Sequence, residues 1–195
     1  EEVSLLVERV SLAGMVKLRG SQDNEFLENL RKMFIVMAQD IRVVLIRLAE
    51  RLHNMSTLDA IPLSKQKRIA VETLEVYAPL AERLGMGKIK GELEDLAFPY
   101  IYPDEYTWLQ EIAKPHFKHS AKNVSGIMNK LRQQLVKHHV VARVEGRPKR
   151  QYSLYKKLLR PENNRDITKI YDLIAVRVIT QKSSDCYPAL GVVHQ

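Results

Sequence analysis

The hydrophobic period of this chain changes part-way along it, and that change limits the folds open to it. Up to about residue 98, apolar residues recur every three or four positions, the spacing of one helix face. Phe26, Leu27, Leu30, Phe34 and Met37 follow it, and so do Leu45, Leu48, Leu52 and Met55. From residue 140 the period falls to two. Val140, Ala142 and Val144 alternate with Val141, Arg143 and Glu145, as the two faces of a strand require. The pattern predicts a mostly α chain with an α+β second part.

Helix breakers and caps divide the pattern further. Asp40 is placed to cap a helix that follows it. Pro62 and Ser64 predict a stop and a new cap. Residues 65–84 read as a helix kinked at Pro79, Gly85-Met86-Gly87 as a break, and 88–97 as a further helix. Phe98-Pro-Tyr-Ile-Tyr-Pro-Asp104 reads as a packed turn, and a domain boundary is placed there, giving parts 1–101 and 102–195. Beyond it, helices are expected over 105–113 and about 120–138, on either side of Pro115. A strand is expected over 140–149 and a helix over 152–160. Asp166 would cap a short turn, 173–180 reads as a buried strand, and 187–194 begins another helix.

Charge separates the same two parts. Residues 1–100 hold 14 Lys+Arg against 15 Asp+Glu, whereas residues 101–195 hold 17 against 8. A basic second half favours an anionic partner, nucleotide or nucleic acid, and a merely solvated basic surface is the competing reading. One cysteine, Cys186, excludes an internal disulfide and suits a reducing compartment. No apolar run approaches the roughly 20 residues needed to span a bilayer.

Two constellations carry chemistry. In Arg47-Leu-Ala-Glu-Arg-Leu-His-Asn-Met-Ser-Thr57, residues Arg47, Glu50, Asn54 and Thr57 fall on one helix face, opposite the apolar stripe. A carboxylate and an amide one turn apart suit a metal and a polar ligand; a solvated helix face has the same pattern. His53, His116, His119, His138 and His139 have no cysteines or acidic cluster at zinc spacing and read as structural or surface residues.

The second constellation runs from 147 to 177. On an extended strand Arg147 and Lys149 share a face, and Pro148 marks an edge or terminal position. Ser153 and Lys157 are one turn apart on the next helix. These cations suit a phosphate chain, and Asp172 suits Mg²⁺, which takes one or two carboxylates plus phosphate oxygens. Asp172 and Arg177 are five apart and would face opposite sides of a regular strand. Either Asp172 precedes the strand, or a bulge intervenes.

Together these residues resemble the RelA/SpoT family of (p)ppGpp synthetase/hydrolases. Arg147-Pro-Lys-Arg-Gln-Tyr-Ser-Leu-Tyr-Lys-Lys157 resembles its ATP-binding motif, and Ile170-Tyr-Asp-Leu-Ile-Ala-Val-Arg-Val178 its metal-binding strand. Asp40 to Leu58 resembles the late part of its HD-type hydrolase domain. Tyr77-Ala-Pro-Leu-Ala-Glu-Arg-Leu-Gly85 and Glu92-Leu-Glu-Asp-Leu-Ala-Phe98 resemble the connecting helices. The similarity is read over roughly residues 25–195, with residues 1–24 matching poorly.

The resemblance implies a helical HD-type hydrolase domain followed by the start of a nucleotidyltransferase-like, mixed-sheet synthetase domain. It implies transfer of pyrophosphate from ATP to the 3′-hydroxyl of GDP or GTP with Mg²⁺. It also implies Mn²⁺-dependent removal of the 3′-pyrophosphate from ppGpp, in the cytoplasm. Arg147 and Arg177 would flank the adenine, Lys149, Lys157 and, more weakly, Ser153 would contact ATP phosphates, and Asp172 would bind Mg²⁺. In the hydrolase motif Glu50 stands where an aspartate metal ligand is usual, Asn54 and Thr57 match guanosine-pocket positions, and Ser56 replaces the usual arginine. The expected catalytic glutamate falls beyond Gln195, so the chain is expected to be a fragment with little synthetase turnover of its own. Any ribosome contact would lie outside this sequence, and no membrane partner is expected. The competing readings are a basic RNA-binding module and a catalytically inactive regulatory module.

Overall fold

The computed structural model describes residues 2–15, 35 and 40–194. The helical spacing read at Phe26–Met37 lies outside the described residues, Ile35 aside. The chain divides into two compact units, Glu1–Pro103 and Asp104–Gln195.

The first unit is helical. Helix α1 (Glu2–Met15) packs Leu6 and Val10 against a core built mainly from α2 (Ile41–Ser56), α3 (Leu63–Glu72), α4 (Ala78–Arg83) and α5 (Gly87–Ile101). Asp40 caps α2 as expected, its side chain accepting from the Arg42 backbone N–H at 3.0 Å. The buried stripe of α2 is Val43, Val44, Leu48 and Met55, with Leu52 half-buried. Leu45 is 43% exposed, which corrects its assignment to the apolar face. Val44, Leu48, Leu52 and Met55 keep the three-and-four spacing, and Leu45 lies one position round from it. Pro62, not Ser64, stands at the cap position of α3, and no side chain caps that helix.

Between α3 and α4 the helix widens into a π-turn, Thr73–Tyr77, closed by Ala78 N–H donating to the Thr73 carbonyl. Pro79 lies just beyond. A proline cannot donate to the turn before it and its ring crowds that turn's carbonyl, and the widened turn absorbs the conflict. After α4, Gly85 adopts φ +72°. Met86 N–H bonds to the Ala81 carbonyl and Gly85 N–H to the Glu82 carbonyl, the paired bonds of a glycine-terminated helix.

The packed turn expected at 98–104 is helix for most of its length. Helix α5 continues through Pro99 to Ile101, and only Tyr102, at φ −130° and ψ 66°, separates it from α6 (Pro103–Lys137). Leu93, Ala97 and Phe98 are fully buried on one face of α5, and that packing outweighs the single bond Pro99 removes. Pro103 sits at the start of α6, where its missing N–H costs nothing.

In the second unit α6 also runs unbroken through Pro115, where two helices were expected. Interior proline costs a helix about 3 kcal/mol; buried Leu109 and Ala113 on one side and Leu135 on the other hold the helix against that loss. Helix α6 ends at a second left-handed residue, His139 (φ 59°), with Val140 N–H bonded to the Leu135 carbonyl and His139 N–H to the Val136 carbonyl. Glycine usually fills this position. His139→Gly is therefore expected to stabilise the second unit by about 0.5–1 kcal/mol, measured as a shifted urea midpoint at constant slope.

Strands β1 (Ala142–Pro148) and β2 (Ile174–Thr180) form a two-stranded antiparallel sheet, with Ala142 opposite Thr180 and Pro148 opposite Ile174. Val144, Val176 and Val178 turn inward onto Met128 and Leu135 of α6 and onto Ala189 and Val192 of α8 (Cys186–Val193). Arg143, Arg147, Ala175, Arg177 and Ile179 face outward and are exposed. The 173–180 strand was expected to be buried; one face of β2 is open, because the described residues cover this ribbon on one side only. Helix α7 (Gln151–Leu158) follows β1, and Asp166 caps the short turn Ile167–Lys169 by accepting from Thr168 N–H at 2.9 Å. Among the described residues no helix is long and apolar enough to cross a membrane.

Candidate functional site

The ladder of β1 and β2 is prolonged by one bond beyond Pro148, from Lys149 N–H to the Leu173 carbonyl at 2.8 Å. That bond brings the exit of β1 beside the entrance of β2. Lys149 and Asp172 thereby become neighbours, with Lys149 Nζ 2.5 Å from Asp172 Oδ2. Asp172 precedes β2, which removes the conflict of faces with Arg177.

Helix α7 supplies the third member. Lys157 Nζ donates to Asp172 Oδ1 at 2.8 Å. Leu154 and Leu158, both fully buried, fix the helix on its inner side, and Gln151 accepts from Gln110 of α6 at 2.9 Å. Ser153 is half-buried one turn before Lys157. Arg147 and Arg177 lie on the outward face of the ribbon, opposite Ala175 and Glu145 respectively. Lys156, part of the same basic run, turns instead to the Tyr152 ring, 4.7 Å from its centroid.

The two ammonium groups, Lys149 first and then Lys157, pull the Asp172 carboxyl from 3.8 down to about 2, against the opposing effect of partial burial. A group depressed in the folded state stabilises the fold above its unfolded pKa and loses that contribution as pH falls through the folded value. The Asp172 contacts are therefore expected to hold from neutral pH down to 3.8 and to fade from there towards 2. A carboxyl ¹³C titration checks this: a midpoint near 4 would contradict the pairing. One exposed carboxylate beside two ammonium groups fits Mg²⁺, a cation that takes one or two carboxylates and completes its shell with water and ligand oxygens.

The polar face of α2 is arranged differently. Arg47 donates to Glu50 Oε2 at 2.6 Å and to the Tyr77 hydroxyl at 3.1 Å, and its Nε is buried without a partner. Arg51 lies over the Tyr77 ring at 4.1 Å and pairs with Glu72 at 2.7 Å. Asn54 and Thr57 are exposed, and the Thr57 hydroxyl donates to the His53 carbonyl at 3.3 Å. Among the described residues no three His, Cys, Asp or Glu side chains gather to hold a metal. Glu50 is committed to Arg47, so the described residues do not fit Mn²⁺ by themselves. Sequence spacing missed Tyr77, which ties both arginines of this face to the π-turn; an aromatic two positions before Pro79 was its only mark.

Comparison with known proteins bears on both units. Residues 1–87 match the HD domain, and residues 146–195 match the region found in RelA/SpoT proteins. A GTP pyrophosphokinase of Myxococcus xanthus is 46% identical over 90% of this chain and 23% of its own length. The bifunctional (p)ppGpp synthase/hydrolase SpoT of Escherichia coli K12 is 41% identical over 100% of this chain and 27% of its own. The chain is similar to RelA/SpoT proteins in both of its parts. A probable guanosine-3′,5′-bis(diphosphate) 3′-pyrophosphohydrolase of Synechocystis is 39% identical over the whole chain and 25% of that protein. The chain thus spans about a quarter of the length of the curated relatives it matches. Residues 1–24, read from sequence as a poor match, lie inside both the HD match and the SpoT alignment.

Proposed function

We propose that this chain forms the junction of an alarmone enzyme, with residues 1–101 as the late part of the hydrolase domain and its connecting helices, and 102–195 as the start of the synthetase domain. The whole protein, in this reading, transfers pyrophosphate from ATP to the 3′-hydroxyl of GDP or GTP and removes the 3′-pyrophosphate from ppGpp, in the cytoplasm. The observation that carries the synthetase half is the Lys149–Asp172–Lys157 cluster at the mouth of the β1–β2 ribbon, with Arg147 and Arg177 on the ribbon's outer face.

Each residue has a role in that reading. Lys149 and Lys157 hold the ATP phosphates as fixed point charges and oppose the negative charge that grows on the transferred group. Ser153, one turn before Lys157, adds a hydroxyl to the same phosphate chain. Arg147 and Arg177 offer flat guanidinium faces to the adenine. Asp172 is the residue that would hold Mg²⁺, which would supply positive charge to offset that of the phosphates. In the hydrolase half, Asn54 and Thr57 line the guanosine pocket, and Glu50 is a candidate Mn²⁺ ligand only with further ligands and with its bond to Arg47 released.

ATP binding to the 195-residue chain tests the synthetase half. Mg²⁺-dependent binding is expected, weakened at least tenfold by Arg147→Ala, measured by isothermal titration calorimetry. A steep salt dependence without preference for ATP over a random RNA oligomer would instead favour the basic nucleic-acid-binding reading.

A further inference from the structure

Both oxygens of Asp172 are already taken, one by each lysine, although the carboxylate is half exposed to solvent. Two ammonium groups and one carboxylate leave the cluster with a net positive charge. The chain on either side adds no acid: Arg147, Arg150 and Lys156 lie along the same run, and Tyr171 and Leu173 flank Asp172. Glu145, the acid on the outer face of β1, pairs with Arg143 at 2.8 Å. A lone divalent cation would have to enter against like charge and displace two strong, charge-assisted bonds from the cluster's one carboxylate among the described residues.

A polyphosphate changes that balance. Its oxygens accept from the same ammonium groups, and lysine, a point charge on a flexible stem, can swing to a new acceptor. Asp172 is then released while the local charge turns negative. We propose that this cluster admits a divalent cation only together with a polyphosphate, because Lys149 and Lys157 occupy the metal ligand until phosphate draws them off. The inference rests on the cluster being the synthetase's polyphosphate site and goes beyond it by assigning the lysines a second task. Before loading they guard the carboxylate; after loading they hold the phosphate. Coupling of this kind is reciprocal, so phosphate must tighten metal by the factor that metal tightens phosphate.

The test uses the 195-residue chain, Mn²⁺ as a paramagnetic substitute for Mg²⁺, and tripolyphosphate as a ligand without a base. The wild-type chain is expected to bind Mn²⁺ alone at least tenfold more weakly than the Lys149→Met/Lys157→Met chain, read by electron paramagnetic resonance. That gain on removing cations should vanish when Asp172→Asn is added. Lys149→Met alone should give a smaller gain, and circular dichroism checks that each variant is folded. In calorimetry Mg²⁺ should tighten tripolyphosphate at least tenfold in the wild type and not in Asp172→Asn. Equal Mn²⁺ affinity of the wild-type and double-lysine chains would overturn the inference and leave the site assignment intact. Failure of tripolyphosphate and ATP to bind the wild-type chain, with or without Mg²⁺, would overturn the site assignment and the inference with it.

Discussion

In the proposed alarmone reading, Asp172→Asn is expected to lower pyrophosphate transfer by the full-length protein by about 10²–10³-fold, the usual cost of losing one group from a site that stabilises developing charge. The substitution keeps the shape and removes the charge that both lysines meet. Its effect on binding should be split. Metal dependence disappears, whereas affinity for metal-free ATP is kept or raised, because Lys149 and Lys157 lose their competitor. Labelled-phosphate transfer assays and calorimetry with and without Mg²⁺ measure the two arms. Activity within threefold of the parent protein would remove Asp172 from the mechanism.

Leu154→Ala is expected to destabilise the second unit by about 2–5 kcal/mol, the range for truncating a fully buried leucine. Leu154 is fully buried in an eight-residue helix. A helix that short draws its stability from packing rather than propensity, so α7 should loosen and carry Lys157 away from Asp172. Trp108 reports the transition: it is the chain's single tryptophan, lies in α6 of the same unit, and has Arg165 5.4 Å from its ring centroid. Its fluorescence in a urea titration gives the stability change directly, and Leu154→Met should cost less than about 1.5 kcal/mol. A loss below 1 kcal/mol for the alanine variant would mean that the core under α7 is loosely packed.

Local chemistry was the part of this structure that could be read in advance. Asp40 and Asp166 cap where their side chains predict, because a cap needs only a neighbouring backbone N–H. The change from helical to alternating spacing marked the helical and mixed parts, because periodicity follows from which face is buried. Proline was the least reliable guide. Pro99 and Pro115 were read as breaks, yet α5 and α6 pass through both. One lost hydrogen bond is decisive in an isolated helix and minor in one anchored by buried residues on both sides. His139 escaped notice for a related reason: a left-handed residue that is not glycine leaves no mark in composition.

The site divides along the same line. Its candidate members were named from the resemblance. The contact between Lys149 and Asp172 was not, because it depends on the register of β1 against β2, and spacing along the chain does not encode register. The Arg47–Tyr77–Arg51 arrangement was hidden in the same way, since a π-turn shifts every later side chain from its ordinary helical angle.

That widened turn also sets how the segment tolerates changes of length. Deleting one residue between Thr73 and Ala78 would restore ordinary helical winding, so the backbone alone would accept it. The residues beyond the cut would then keep nearly their angle, because the wider turn takes up one more residue for about the same rotation. Tyr77 would stay against its two guanidinium groups, and the helix bearing Glu50 would keep the phenol that fixes its arginine. The widened turn is a local store of one residue: it absorbs the surplus where it stands and spares the packing downstream.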